Sequence, residues 1–390
     1  FFFKQKTAYE IYQCDWSSDV CSSDLLCRQR FHAVYARTMM LSSRLPLIQA
    51  PMVGSLSPLT IAVCQAGGLG SLACAALTPA QLREQIALIR AETSAPFNVN
   101  FFCHTPPAPD EEVDAKWLEL LGPYYKEVGL DLSAAQKGPG RAPFDDAMCE
   151  VVEDLRPAVI SFHFGLPEER LLARARDTGA MILSSATTVE EARWLESRGV
   201  DAVIAQGAEA GGHRGMFLTS DIDAQPGLFA LLPQIVDAVR VPVIAAGAIA
   251  DGRGIAAAFA LGASAVQLGT AYLMTPQAGR SGIHRAALRS ARDDMTRLTN
   301  LYTGRPARGL LTRFMRVLGP MNDTAPGFPL ATGAVDPLRF AYEKAGHGDF
   351  SILWAGEAAA MAREEDAGLL TQRLWKEAQE CASGLTCGRV

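Results

Sequence analysis

No apolar run in this 390-residue chain approaches the roughly 18 residues that a membrane-spanning helix requires, so none is expected. Basic residues are short as well: 36 Lys and Arg against 42 Asp and Glu leave a net charge of −6, which argues against a nucleic-acid surface. There is no P-loop signature, and no Gly-x-Gly-x-x-Gly follows the first strand-like run, which excludes the two commonest phosphate-binding openings. Nine cysteines are present, but none forms a Cys-x-x-Cys pair with metal-ligand spacing, and no metal site is expected. A mildly acidic enzyme of a reducing, cytoplasmic compartment fits these absences.

The first residues stand apart. The runs Lys4-Gln5-Lys6-Thr7-Ala8-Tyr9-Glu10-Ile11 and Asp15 to Leu25 resemble translated sequencing-library adapter, and Leu26 to Arg37 shows no clear periodicity. The expectation is a non-native, disordered leader over 1–38 and a natural start at Met39 or Met40. Cys14, Cys21 and Cys27 then drop out, leaving Cys64, Cys74, Cys103, Cys149, Cys381 and Cys387.

From Leu45 short apolar runs alternate with longer amphipathic ones. Strands are expected at Leu47–Ala50, Leu69–Leu72, Phe97–Phe101, Ala158–Phe162, Met181–Leu183, Ala202–Ala205, Pro242–Ala246 and Ala265–Leu268. The helices between them include one from Thr78, a plausible N-cap, through Leu82, Ile86 and Ile89, whose spacing puts them on one face. Strands apolar on both sides, with polar or glycine residues after nearly every strand end, favour a TIM (β/α)8 barrel over an open doubly wound sheet. The barrel is expected over 39–280. Asp110 to Val151, divided by Lys137-Gly138-Pro139-Gly140, reads as an inserted helical segment. Beyond it, 281–390 reads as a C-terminal helical cap: helices over His284–Leu298, around Phe340 and over Ile352–Trp375, with a basic turn at Tyr302–Gly309.

The chemistry gathers in Gln206-Gly207-Ala208-Glu209-Ala210-Gly211-Gly212-His213-Arg214-Gly215. Glycines where a strand stops let backbone N–H groups approach an anion that any Cβ would hold off. His213 brings an imidazole that ordinarily titrates near pH 6.5 and so exchanges a proton near neutrality. Two further glycine sites, Gly247 to Gly252 and Gly269-Thr270, follow the last two strands, where barrels often hold phosphate.

Pro46 to Met52, Asn98-Val99-Asn100-Phe101-Phe102, Ser161-Phe162-His163-Phe164-Gly165, Gln206 to Gly215 and Gln267-Leu268-Gly269-Thr270 together resemble the nitronate monooxygenase family, formerly 2-nitropropane dioxygenase. The resemblance runs from Leu45 to about Leu374 and takes in Tyr302 to Gly309 and Leu353-Trp354-Ala355-Gly356. It implies non-covalent FMN across the barrel mouth, contacted by Met52, Asn100, Gln206, Gly211, Gly212, Gly247, Gln267, Gly269 and Thr270. It implies oxidation of an alkyl nitronate, such as propionate 3-nitronate, by O2 to a carbonyl compound and nitrite. His213 would be the general base toward neutral nitroalkanes and His163 a second imidazole orienting the nitro group. Tyr302, Arg305, Tyr342 and Lys344 could reach the anion from the tail, and Glu357 stands where the family pattern suggests a neutral amide. The partners implied are a small-molecule nitronate and O2, with a homodimer left open. An NAD(P)H-dependent quinone or enoyl-thioester reductase shares the Gly-Gly-His region and stays open, as does a barrel that binds a phosphate ligand without turnover.

Overall fold

The computed structural model describes residues 43–108, 110–135 and 141–386. The expected leader over 1–38, the Lys137–Gly140 divider and Cys387 lie outside the described residues.

Eight parallel strands form the barrel: β1 (Leu47–Gln49), β2 (Ser71–Ala73), β3 (Asn98–Phe102), β4 (Val159–His163), β5 (Met181–Ala186), β6 (Ala202–Gln206), β8 (Val243–Ala246) and β9 (Ala265–Leu268). They pair in the order β1-β9-β8-β6-β5-β4-β3-β2, and the two ends meet through Leu69. Gln49 donates its N–H to Leu69 O at 3.0 Å, and Leu69 donates to Leu47 O at 2.8 Å. The eight-stranded sheet thus closes on itself, and the barrel expected from the alternation is what the backbone builds. β7 (Gly212–His213) leaves the barrel and joins a separate ribbon.

The helices flank the barrel because their apolar faces match it, among them α1 (Ser57–Gln65), α5 (Glu169–Asp177), α6 (Val189–Ser197), α7 (Leu228–Ala238) and α8 (Gly252–Ala260). In α2 (Pro79–Glu92) the Thr78 hydroxyl accepts from Gln81 N at 3.3 Å and the Gln81 side chain accepts from Thr78 N at 2.9 Å. That reciprocal cap sets the start, and Leu82, Ile86 and Ile89 are then buried on one side. Inside the barrel, Ile48, Leu69, Leu183, Ile204 and Ile244 pack into one apolar cluster, with Ile204 at the floor of the mouth. Near β3 the interior is polar instead: Asn98 Nδ2 donates to the Ser71 and Ser161 hydroxyls at 3.0 and 2.9 Å, and Asn100 Nδ2 donates to Ser161 Oγ at 2.9 Å. Buried amides must find partners, and serines on the neighbouring strands supply them.

A second core lies above the mouth. The insertion contributes α3 (Glu111–Glu127) before α4 (Asp146–Leu155) returns to the barrel wall. Trp117, Leu121 and Tyr125 of α3 pack with Tyr302, Phe314, Leu338 and Phe350 of the tail. Tyr125 Oη donates to Ala334 O at 2.6 Å. The insertion, for which sequence offered no residue-level role, is the half of the cap that grips the other half.

The tail departs from an all-helical cap in three ways. The helix expected over 284–298 is α9 (Gly282–Arg289), and Thr296–Thr299 is strand β10. Thr296–Thr299 pairs antiparallel with β11 (Ala307–Leu310), so the expected basic turn is partly strand. The helix expected over 352–375 starts only at Ala367, where Asp366 Oδ1 accepts from Gly368 N at 2.8 Å and Leu369 N at 3.1 Å. This last helix, α12 (Ala367–Thr386), buries Leu370, Leu374 and Ala378 in the barrel's own core rather than capping the mouth. Between them, α10 (Arg313–Leu318) and α11 (Thr332–Lys344) belong to the cap.

Candidate active site

At the C-terminal ends of the strands lies a cavity of about 520 Å³, within the range of small-molecule and cofactor sites. Met52, Asn100, His163, Gln206, Gly211, Gly212, His213, Gly247, Gln267, Gly269 and Thr270 all line it. The sequence-predicted set is thus brought together, although its members do different jobs.

His213 sits on β7, which pairs antiparallel with β11 so that Ala307 faces His213 and Arg308 faces Gly212. Its ring is fixed by a 2.9 Å hydrogen bond between Nε2 and Thr303 Oγ1, and Nδ1 has no partner among the described residues. Its carbonyl accepts from Gln206 Nε2 at 2.9 Å and from His163 Nε2 at 3.2 Å. A carbonyl only accepts, so His163 carries its proton on Nε2, and its Nδ1 accepts from the Ser185 hydroxyl at 2.6 Å. Both ring nitrogens of His163 are therefore occupied, and the nitro-orienting role expected for it has no ring nitrogen to carry it.

Gln206 is engaged in the same way. Its Oε1 accepts from Gly215 N at 2.7 Å while its Nε2 holds His213 O, so it braces the loop. Arg214 is wholly buried and donates to Gly207 O at 2.5 Å and Gln206 O at 2.9 Å, a third brace that sequence did not single out. Gly211 is required by packing: a Cβ there would lie 2.5 Å from Gly356 N and 2.6 Å from Ala355 C. Gly212, at φ +74°, has nothing within 4 Å of where a Cβ would be, and its side of the loop opens to the cavity.

Across the barrel, the Gln267 side-chain oxygen is buried with no hydrogen-bond partner among the described residues. An orphaned acceptor on a cavity wall is costly unless a ligand donor meets it. Thr270 Oγ1 accepts from Gly356 N at 2.9 Å, and Gly247 takes φ +139°, a backbone state that suits glycine. Asn100 spends its Nδ2 on Ser161, which leaves its Oδ1 for the cavity.

Four aromatic rings surround the His213 imidazole edge-on or tilted: Phe328 at 5.2 Å, Trp354 at 5.6 Å, Phe164 at 6.0 Å and Phe102 at 6.1 Å between centroids. Removal from water, together with the positive charge of Arg141 and Arg305 and the neighbouring imidazoles, holds His213 well below its ordinary titration range. Burial likewise pushes His163 down to about 3. Both rings are neutral at physiological pH.

The tail residues expected to meet the anion do not reach the cavity. Tyr302 is wholly buried in the cap core, its hydroxyl 2.7 Å from Thr312 Oγ1. Arg305 stacks 4.1 Å above Phe164 and bonds to Met216 O. Tyr342 lies beside Arg313, and Lys344 is exposed. Glu357 pairs with Arg308 at 3.1 Å, which accounts for its charge. Other residues take their place: Thr303 and Ser185 through their hydrogen bonds, Phe328 against the His213 ring, and Arg141 at the wall. Only Thr303 carried a signal, as the second residue of the Tyr302–Gly309 run.

Fold and site define a (β/α)8 enzyme with a neutral imidazole poised at its C-terminal mouth. The family model for nitronate monooxygenase matches residues 37–377. A nitronate monooxygenase of Pseudomonas aeruginosa is 41% identical over 343 residues, covering 87% of this chain and 98% of that protein. One from Paraburkholderia phytofirmans is 40% identical, covering 86% and 92%. The crystal structure of nitroalkane oxidase from Streptomyces ansochromogenes matches with a TM-score of 0.83 at 42% identity, over 89% of this chain and 99% of that one. The chain belongs to the nitronate monooxygenase family, and it is an oxidoreductase of the monooxygenase class.

Proposed function

We propose that the chain is an FMN-dependent nitronate monooxygenase that oxidises short alkyl nitronates, such as propionate 3-nitronate, with O2 to a carbonyl compound and nitrite. The observation that carries this reading is the neutral His213 imidazole, fixed by Thr303 at the wall of a cavity with an unmet acceptor opposite.

The residues present suit a flavin. The orphaned Gln267 oxygen offers an acceptor to an imide N–H or a ribityl hydroxyl, and Asn100 Oδ1 offers a second. Backbone at Gly247, Gly269 and Thr270, after β8 and β9, lies where barrels hold a phosphate, and Met52 supplies a polarizable contact for an aromatic ring. Gln206, Gly211 and His163 support this reading indirectly, by shaping the loop that carries His213. When bound, the flavin supplies the redox chemistry that passes electrons from substrate to O2.

The protein's own part is proton handling and exclusion of water. With Nε2 bonded to Thr303, Nδ1 is the atom at which His213 accepts the α-proton of a neutral nitroalkane. A positioned base of this kind contributes about 10²–10⁴-fold. A preformed nitronate needs no such step and relies on His213 only for a hydrogen bond. The cationic surroundings that keep the ring neutral also favour an anionic substrate. The test is oxygen uptake with matched nitrite release when the purified protein, reconstituted with FMN, meets propionate 3-nitronate. Binding of FMN with no uptake on any nitronate would overturn the reading.

A further inference from the structure

Three guanidinium groups stand on the cavity wall: Arg141, Arg280 and Arg339. Two have partners. Arg280 donates to Ala278 O and Val53 O at 3.1 Å and to Ser55 Oγ at 2.8 Å. Arg339 donates to Asp336 Oδ1 at 3.0 Å. The half-buried Arg141 side chain has no hydrogen bond and no ion pair among the described residues. A guanidinium free on a cavity wall offers its forked donors to an anion that enters.

Its place in the barrel says which anion. Three residues on, Phe144 donates its N–H to Phe102 O at 2.7 Å, which docks this stretch on the end of β3. In the strand order, β3 is four strands from β8 in either direction, so Arg141 lies across the mouth from the Gly247 backbone assigned to the flavin phosphate. Arg141 shares the cavity lining with His213 and with Asp336 and Arg339 of α11, so the same space meets the imidazole, the guanidinium and the cap. A small substrate whose reacting carbon meets His213 therefore presents its far end to Arg141.

We propose that Arg141 is a specificity residue that pairs with a carboxylate at the end of the substrate remote from the nitro group. The assignment rests on the nitronate reading for the identity of the reacting end. Propionate 3-nitronate and propyl-1-nitronate differ by a carboxylate in place of a methyl group, so their ratio isolates the contact.

Steady-state kinetics of the FMN-loaded wild type, Arg141→Gln and Arg141→Lys with both nitronates test it. Charge-assisted hydrogen bonds predict that Arg141→Gln lowers the kcat/KM ratio of the carboxylated to the plain nitronate about ten- to a hundredfold, chiefly through KM. Arg141→Lys should recover part of the loss. A ratio unchanged to within about threefold in both variants, well below that charged-contact range, overturns the proposal. Anaerobic calorimetry with 3-nitropropionate and 1-nitropropane provides a second reading that needs no turnover. A wild type inactive on both nitronates would refute the functional reading, while the binding ratio would still decide Arg141.

Discussion

Acid should destabilise this protein well above the pH at which its carboxylates protonate. Burial pushes His104 and His284 down to about 4 and His163 to about 3, from an ordinary 6.5. Because each folded-state value lies below the unfolded one, the unfolded chain binds more protons as pH falls through 6.5, and stability is lost in that direction. The loss begins below pH 6.5 and is complete only near pH 3 to 4. At pH 5 the linkage relation gives about 2 kcal/mol for each fully buried imidazole, somewhat less for His163, whose ring faces the cavity. The three together cost about 5 kcal/mol, and His213 adds to it with the same sign. That is a large share of the roughly 5–15 kcal/mol by which domains are stable. Urea unfolding followed by tryptophan fluorescence at pH 8 and pH 5 measures the difference directly. His104 is the clean probe, since its ring is buried against Phe328, 4.7 Å away. His104→Phe should remove about 2 kcal/mol of the pH dependence. Equal stability at the two pH values, or an unaltered pH dependence in the variant, would refute the electrostatic reasoning.

Other consequences follow from single contacts. Gly211→Ala places a methyl 2.5 Å from Gly356 N, a backbone atom that cannot swing aside. It should cost about 1–3 kcal/mol by overpacking and weaken FMN retention, read by thermal melting and by the flavin released on gel filtration. Thr303→Val removes the hydrogen bond that fixes His213 Nε2. Turnover of neutral nitroalkanes should fall about two- to tenfold, that of nitronates much less, and an equal fall on both would argue against a positioning role. Trp117→Ala hollows the cap core and should destabilise by about 3–5 kcal/mol in urea unfolding. If flavin binding survives that loss, cap and barrel are energetically separable.

The barrel was legible because its signals are local. Runs such as Ala202-Val203-Ile204-Ala205 mark a buried strand without reference to anything distant, and the glycines after them mark where the chain must turn. The cavity followed, since a closed barrel carries every strand end to one mouth. What each residue does there was less legible. Gln206 and His163 read as ligand groups, yet both hold the His213 carbonyl, a point in space that no spacing encodes. Thr296-Arg297-Leu298-Thr299 was absorbed into a helix because its partner, Ala307 to Leu310, exists only once β7 lies beside it. Arg141 was invisible for a similar reason: it sits in an insertion whose place is set by Phe144 docking on the end of β3.

The central claim is that a neutral His213 imidazole takes the proton from substrate beside a bound flavin. Oxygen uptake by FMN-loaded His213→Asn, compared with wild type on a neutral nitroalkane and on its preformed nitronate, tests it most directly. The account predicts a yellow variant that loses about 10²–10⁴-fold on the neutral substrate and far less on the nitronate. Equal activity of variant and wild type on the neutral nitroalkane would contradict it.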